Sequence, residues 1–205
     1  VVTKVIKTAE ELANLQSYTP VTEMPITGVA NNYAEYGKSA YSYGGYFVLA
    51  NDITATGSES AFKAPALGNY SSGATIKAEM GFHGTFDGQG HTVDGFSYDV
   101  GGVFGEIGDN AVIQNVAFTN AMVGVNSRQY AVGVLSSNAT GTFTVSNVYV
   151  QGSIWGANGG MLFGKSISGG TLTDVVVDMK ISDGTSATGD DSYTVGAIAS
   201  ADRGN

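Results

Sequence analysis

Apolar residues two positions apart recur in short runs along this chain, as in Val116/Phe118, Val148/Val150 and Val175/Val177. That period sends one side chain inward and the next outward, the signature of a β-strand. Three longer stretches can also be laid over one another. The first has Gly102-Val103-Phe104-Gly105, then Ile113-Gln114-Asn115-Val116-Ala117-Phe118. The second has Gly133-Val134-Leu135-Ser136, then Val145-Ser146-Asn147-Val148-Tyr149-Val150. The third has Met161-Leu162-Phe163-Gly164, then Leu172-Thr173-Asp174-Val175-Val176-Val177. With Asn115, Asn147 and Asp174 as markers, the steps are 32 and 27 residues. Intervals of that size mark supersecondary units too thin to bury an apolar face alone. Two columns follow: Val93, Ile113, Val145 and Leu172, and beside it Phe96, Val116, Val148 and Val175. Columns of this kind predict a parallel β-helix, a solenoid with strands about 4.8 Å apart. An antiparallel sandwich would want closely spaced Asn-Gly hairpins and would leave the columns unexplained.

Ahead of the repeats, Val5-Ile6-Lys7 reads as a short strand leading into a helix. Thr8 and Glu11 form a capping box, and Ala9, Leu12, Ala13 and Leu15 fit one helical face ending near Ser17. Such a helix caps the first unit and covers an open edge. Residues 18–45 read as an irregular loop rich in Tyr and Gly. Strand chemistry returns at Tyr46-Phe47-Val48-Leu49 and Asn51-Asp52-Ile53, and a second loop covers roughly 55–80. The β-helix units then occupy 46–205, making 1–205 one domain with two long lateral loops. Nothing resembling a capping helix follows the last β segment, Tyr193 to Ser200. The expectation is that the polypeptide continues beyond Asn205, as a fragment of a longer protein, or that another subunit covers this end.

Composition narrows the function classes. Thirty glycines and three prolines fit many tight turns and exclude collagen, while 42% hydrophobic residues suffice for a core. A net charge of −9 without a Lys/Arg cluster argues against nucleic acid as a partner. The absence of cysteine excludes disulfides, thiolate metal sites and cysteine nucleophiles. No apolar run reaches transmembrane length, so this chain is not expected to span a membrane.

At Gly84-Thr85-Phe86-Asp87-Gly88-Gln89-Gly90-His91-Thr92-Val93, together with Gly102-Val103-Phe104-Gly105 and Met161-Leu162-Phe163-Gly164, the chain resembles a known group. It is similar to bacterial surface proteins of the pectin-lyase-like right-handed β-helix superfamily that carry GLUG-type repeats. The order of segments, from Lys7 to Leu15 and from Tyr46 to Ile53 before the Gly-Thr-Phe-Asp-Gly run, matches as well. The second repeat departs at Ser136, where the group has glycine. The resemblance implies a secreted or cell-surface protein of adhesive type with flanking domains in the same polypeptide.

Candidate chemistry is sparse. His83, Asp87 and His91 lie four apart, a metal-like spacing on a helix, but Gly84, Gly88 and Gly90 make this a glycine-dictated turn. Gly189-Asp190-Asp191 resembles the paired aspartates of polygalacturonases without that family's other motifs, and reads as a solvated acidic turn. Arg128 and Arg203 are the only arginines, and neither lies beside an acidic column of the kind a pectate lyase needs. Asn115, Asn147 and Asp174 fit a side-chain ladder at a turn. Trp155, among Gly152, Gly156 and Gly159, fits a turn-packing aromatic.

Tyr18, Tyr33, Tyr36, Tyr41 and Tyr43 are the candidate binding residues, since their flat amphipathic rings suit a sugar or a protein partner. The expected function is therefore a non-catalytic module of a bacterial surface protein, an adhesion or display scaffold. Its partner would be a glycan or a host or cell-surface protein, and no cofactor or metal is called for. The alternative is a carbohydrate-binding or carbohydrate-processing β-helix protein using the tyrosine-rich loop.

Overall fold

The computed structural model describes residues 1–25, 39–55, 78–98, 102–124, 132–155, 159–164, 167–182 and 195–199. The chain opens with strand β1 (Lys4–Ile6), helix α1 (Ala9–Ala13) and a 3-10 turn (Leu15–Tyr18). Next come β2 (Val21–Pro25), β3 (Ser39–Tyr43), β4 (Tyr46–Leu49) and β5 (Ile53–Thr54). β6 (Gly81–Phe82), β7 (Thr85–Asp87), β8 (Thr92–Asp94), β9 (Ser97–Tyr98) and β10 (Glu106–Ile107) form the middle. β11 (Val112–Val123), β12 (Asn138–Thr140), β13 (Thr144–Trp155) and β14 (Gly159–Gly160) follow. The last described strands are β15 (Ile167–Ser168), β16 (Thr171–Ser182) and β17 (Val195–Gly196).

These strands form separate layered sheets. The largest has nine strands and runs β1-β4-β7-β11-β13-β16, with β5 on β8 and both β8 and β9 on β11, all parallel. A six-stranded sheet runs β15-β12-β10-β6-β3-β2 and is mixed, because β2 and β3 pair antiparallel. A third sheet pairs β14 with β17.

This arrangement corrects the expected right-handed parallel β-helix. The strands range from two to twelve residues and gather into layered parallel and mixed sheets, not into the uniform turns of a solenoid. The physical reason is that a repeat interval reports which strands pair. It does not report how long each strand runs or which sheet receives it. Residues 18–45 differ from expectation too, since this stretch contributes β2 and β3 as an antiparallel pair from Val21↔Tyr43 to Pro25↔Ser39.

Within the large sheet the columns are real pairings, with two reassignments. Ile113, Val145 and Leu172 lie in register, and Phe86 and Phe47 continue that column. Val93 belongs to a different one, with Ile53, Phe118, Val150 and Val177. Phe96 leaves the Val116–Val148–Val175 column, its carbonyl accepting from Met122 N–H at 3.0 Å. The cause is the corner at residues 88–91. β7 and β8 both pair with β11, so the Gly-Gln-Gly-His segment bends the chain within one level instead of linking two. Gly88 is required there, because a Cβ would meet Val116 Cβ and the Asn115 carbonyl, each at 2.5 Å.

Side chains from both large sheets meet in an aromatic core. Phe82 of β6 stacks on Phe104 with ring centroids 5.1 Å apart, and Phe86 of β7 meets Phe104 edge-on at 5.2 Å. Tyr43, Phe47, Phe96, Phe118, Phe143 and Phe163 are all fully buried. At the β1 end, α1 closes this core with Leu12 and Ala13, joined by Leu15 of the following turn. Its start is fixed by Thr8 Oγ1 accepting from Glu11 N–H at 3.2 Å, while Glu11 Oε2 accepts from Lys7 N–H at 2.7 Å. Lys4 pairs with the other Glu11 oxygen at 2.7 Å and lies 5.0 Å from the Tyr18 ring centroid.

Candidate functional site

The polar chemistry of the described residues concentrates at the corners of the large sheet. Asn110, Asn115, Asn120, Asn147 and Asp174 all have φ between 50° and 63°, the left-handed region that Asn and Asp tolerate best among non-glycine residues. Three of them form one line, because Asn115, Asn147 and Asp174 occupy equivalent gaps in the β11–β13–β16 pairing. Asp87 starts that line. Its carboxylate accepts from Gln89 N–H at 2.9 Å, Gln114 Nε2 at 3.0 Å and Asn115 Nδ2 at 3.0 Å. Asn115 Oδ1 accepts in turn from Asn147 Nδ2 at 3.0 Å. Burial alone would raise the Asp87 pKa, but the three donors outweigh it and hold the carboxyl below its ordinary range.

Neighbouring corners repeat the device. Asp94 Oδ1 accepts from Thr119 Oγ1 at 2.6 Å and Asn120 Nδ2 at 2.7 Å. Asp109 Oδ1 accepts from Thr142 N–H at 2.7 Å and Thr142 Oγ1 at 2.6 Å. In both, hydrogen bonds to the charged form lower the carboxyl pKa.

The residues singled out from sequence are dispersed. His83 Nδ1 lies 3.1 Å from Ser42 Oγ and 3.3 Å from the Gly81 carbonyl. His91 Nδ1 lies 3.1 Å from Asp52 Oδ1, which also accepts from Thr92 N–H at 3.0 Å. Asp87 has the separate partners given above. Among the described residues, no group of three or more His, Asp or Glu is placed to hold a metal ion. Tyr43 is buried, and its hydroxyl donates to the Phe104 carbonyl at 3.0 Å, so its ring faces the core and not a ligand. Tyr18 is half-buried, packs against the core and carries Lys4 over its ring. The backbone of Tyr41 lies in β3, while its side chain, that of Trp155, and all of Tyr33, Tyr36, Arg128, Asp190, Asp191 and Arg203 fall outside the described residues.

Sequence reasoning missed Glu106. It is fully buried in β10, opposite Asn138 of β12, whose Nδ2 donates to Oε1 at 3.1 Å. Among the described residues, Oε2 has no hydrogen-bond partner. Ser136 and Ser137 are buried nearby in sequence, and Ser136 Oγ donates to the Asn138 carbonyl at 2.8 Å. The available signal was a lone acid inside Val103-Phe104-Gly105-Glu106-Ile107, directly after the Gly102-Val103-Phe104-Gly105 segment of the repeat.

Desolvation pushes the Glu106 carboxyl well above its ordinary range, and the Asn138 hydrogen bonds only partly oppose it. A raised folded-state pKa contributes stability that is complete below the unfolded value, about 4.3, and is lost as pH rises toward the folded value. Glu106→Gln is therefore expected to match the wild type near pH 4 and to exceed it increasingly above that. The difference should grow by at most about 1.4 kcal/mol per pH unit. Chemical denaturation of both proteins from pH 4 to 8 measures it, and a pH-independent difference would contradict the assignment.

No family model matches the chain, and no curated protein matches it. Among solved structures, it is similar to a Bacteroides ovatus protein provisionally described as an immunoglobulin A1 protease, with a TM-score of 0.55 and 16% identity. The match covers 96% of this chain and 61% of that one, so this chain spans under two thirds of its structural neighbour's length. At that identity the likeness concerns the fold alone. No helix among the described residues is long and apolar enough to cross a membrane.

Proposed function

We propose that this chain is a non-catalytic structural module of a secreted or cell-surface protein, acting as a display or adhesion scaffold alongside flanking domains. One observation carries the reading: the described carboxylates and amides that resemble functional groups are bonded to one another along the sheet corners. Asp87, Asn115 and Asn147 form a line of side chains that holds three successive parallel strands in register. Side chains used in this way stiffen the sheet, and a stiff sheet suits spacing and display. The repeats and the resemblance to GLUG-type surface proteins support the same reading. The protease description of the structural neighbour belongs to that protein, and 16% identity does not carry it here.

Two measurements test the proposal. Fractionation and protease shaving of the native host should place the protein outside the cytoplasm, and a strictly cytoplasmic protein would overturn it. The purified chain should release no product from polyuronates, a broad glycan panel or immunoglobulin A1, and reproducible turnover of any of them would make it an enzyme. A glycan-array signal abolished by Tyr36→Ala and by Tyr41→Ala would instead favour carbohydrate recognition through residues 18–45.

A further inference from the structure

The nine-stranded sheet ends at β16, twelve residues long, and among the described residues no strand pairs with its outer edge. Burial changes abruptly at this strand. Val148 and Val150 of β13 are 1% and 0% exposed, whereas their register partners Val175 and Val177 are only half-buried. Val176 and Ile181 are 54% and 62% exposed. A long edge with half-open apolar positions is a template for strand addition.

The sequence of this edge indicates what adds to it. Val177-Asp178-Met179-Lys180-Ile181 alternates apolar residues with one acid and one base, symmetrically about Met179. Antiparallel pairing of this strand with itself, centred on Met179, sets Val177 opposite Ile181 and Met179 opposite Met179. On the other face it sets Asp178 opposite Lys180 twice, once on each side of the centre. Both faces are thus self-complementary, which is what a two-fold interface requires. A register centred on Asp178 would instead oppose two aspartates. Head-to-tail addition onto β1 of another copy meets the helix α1 that closes that end of the core. We infer that the outer edge of β16 is an interface between two copies of this chain, paired antiparallel about a two-fold axis at Met179.

Analytical ultracentrifugation of the whole chain over a wide concentration range should detect a reversible dimer. Lys180→Asp opposes aspartates at 178 and 180, and Asp178→Lys opposes lysines. Each reversal should weaken self-association about tenfold or more, with far-UV circular dichroism unchanged. Mixing the two variants restores opposite charges at both positions, so a heterodimer should reappear. Asp178 Oδ2 also accepts from Tyr149 at 3.3 Å, and the mixing experiment separates loss of that bond from loss of the interface. Because the chain has no cysteine, Met179→Cys provides a single thiol that should yield a disulfide-linked dimer on oxidation. A wild-type chain that stays monomeric, a dimer indifferent to both reversals, or Met179→Cys that does not cross-link would each overturn the inference.

Discussion

Gly152→Ala is expected to destabilise the chain by about 3 kcal/mol or more. Gly152 pairs with Ala121 on one side and Met179 on the other, in β13, one strand in from the β16 edge of the large sheet. Its φ of +153° is a conformation open almost only to glycine. A Cβ at this position would lie 2.0 Å from the Ala121 carbonyl oxygen and 2.6 Å from its nitrogen. Both obstructions are backbone atoms of a hydrogen-bonded neighbour, so no side chain can swing away to make room. The crowding follows from a bulge in β11, where Thr119 and Asn120 together oppose Gln151 before pairing resumes at Ala121↔Gly152. Gly90→Ala supplies the control. Gly90 also has positive φ, at +82°, but nothing lies within 4 Å of its would-be Cβ. Its cost should be only the conformational term, about 1–2 kcal/mol. Thermal or urea denaturation of the two variants decides between crowding and backbone conformation, and equal losses would remove the steric argument.

The bulge and the glycine corner explain where the sequence could be read and where it could not. Ile113, Val145 and Leu172 could be aligned because β11, β13 and β16 pair residue for residue on either side of their left-handed corners. The marker residues Asn115, Asn147 and Asp174 stand at those corners, and their shared φ is the physical reason the spacing could be seen at all. Val93 and Phe96 could not be placed, because the corner at 88–91 inserts residues that β11 does not match. The inward–outward period is blind to such insertions. The same blindness favours a uniform solenoid, which the layered and mixed sheets replace. The antiparallel β2–β3 pair lies in a stretch whose Gly and Tyr content imitates a loop.

The polar residues are harder to read than the apolar ones. His83, Asp87 and His91 stand out through spacing, yet each is bonded to a different part of the chain. Tyr43 groups by sequence with the candidate binding tyrosines, although it alternates within β3 onto the aromatic core beside Phe82, with centroids 5.3 Å apart. Glu106 has no motif around it. Its importance comes from complete burial, which only three-dimensional packing determines.

Removing the Asp87 carboxylate should have the second large effect. Three donors converge on it, two of them side-chain amides from β11 and its corner, so Asp87→Ala leaves all three without their acceptor. Hydrogen bonds to a charged group contribute about 1.5–3 kcal/mol each when partly buried, and partial rehydration recovers some of that. A net loss of about 2–4 kcal/mol is expected. Asp87→Asn should also destabilise, because its amide directs protons at groups that are themselves donors. The two variants share a second signature. The wild-type carboxyl is held below its ordinary pKa, so its contribution is present above the unfolded value and lost as pH falls through the folded one. Both substitutions should flatten this part of the acid limb of the stability curve, measured by urea denaturation between pH 2 and 6. Asn147→Ala breaks only the next link, Nδ2 to Asn115 Oδ1, and places alanine at φ of +51°. It should cost about 1–3 kcal/mol with no change in the acid limb. If the corner line acts as one unit, the double variant Asp87→Ala/Asn147→Ala will lose less than the two single losses added together. Strict additivity would mean that Asp87 and Asn147 support their strands independently, and the line would then be a row of separate caps.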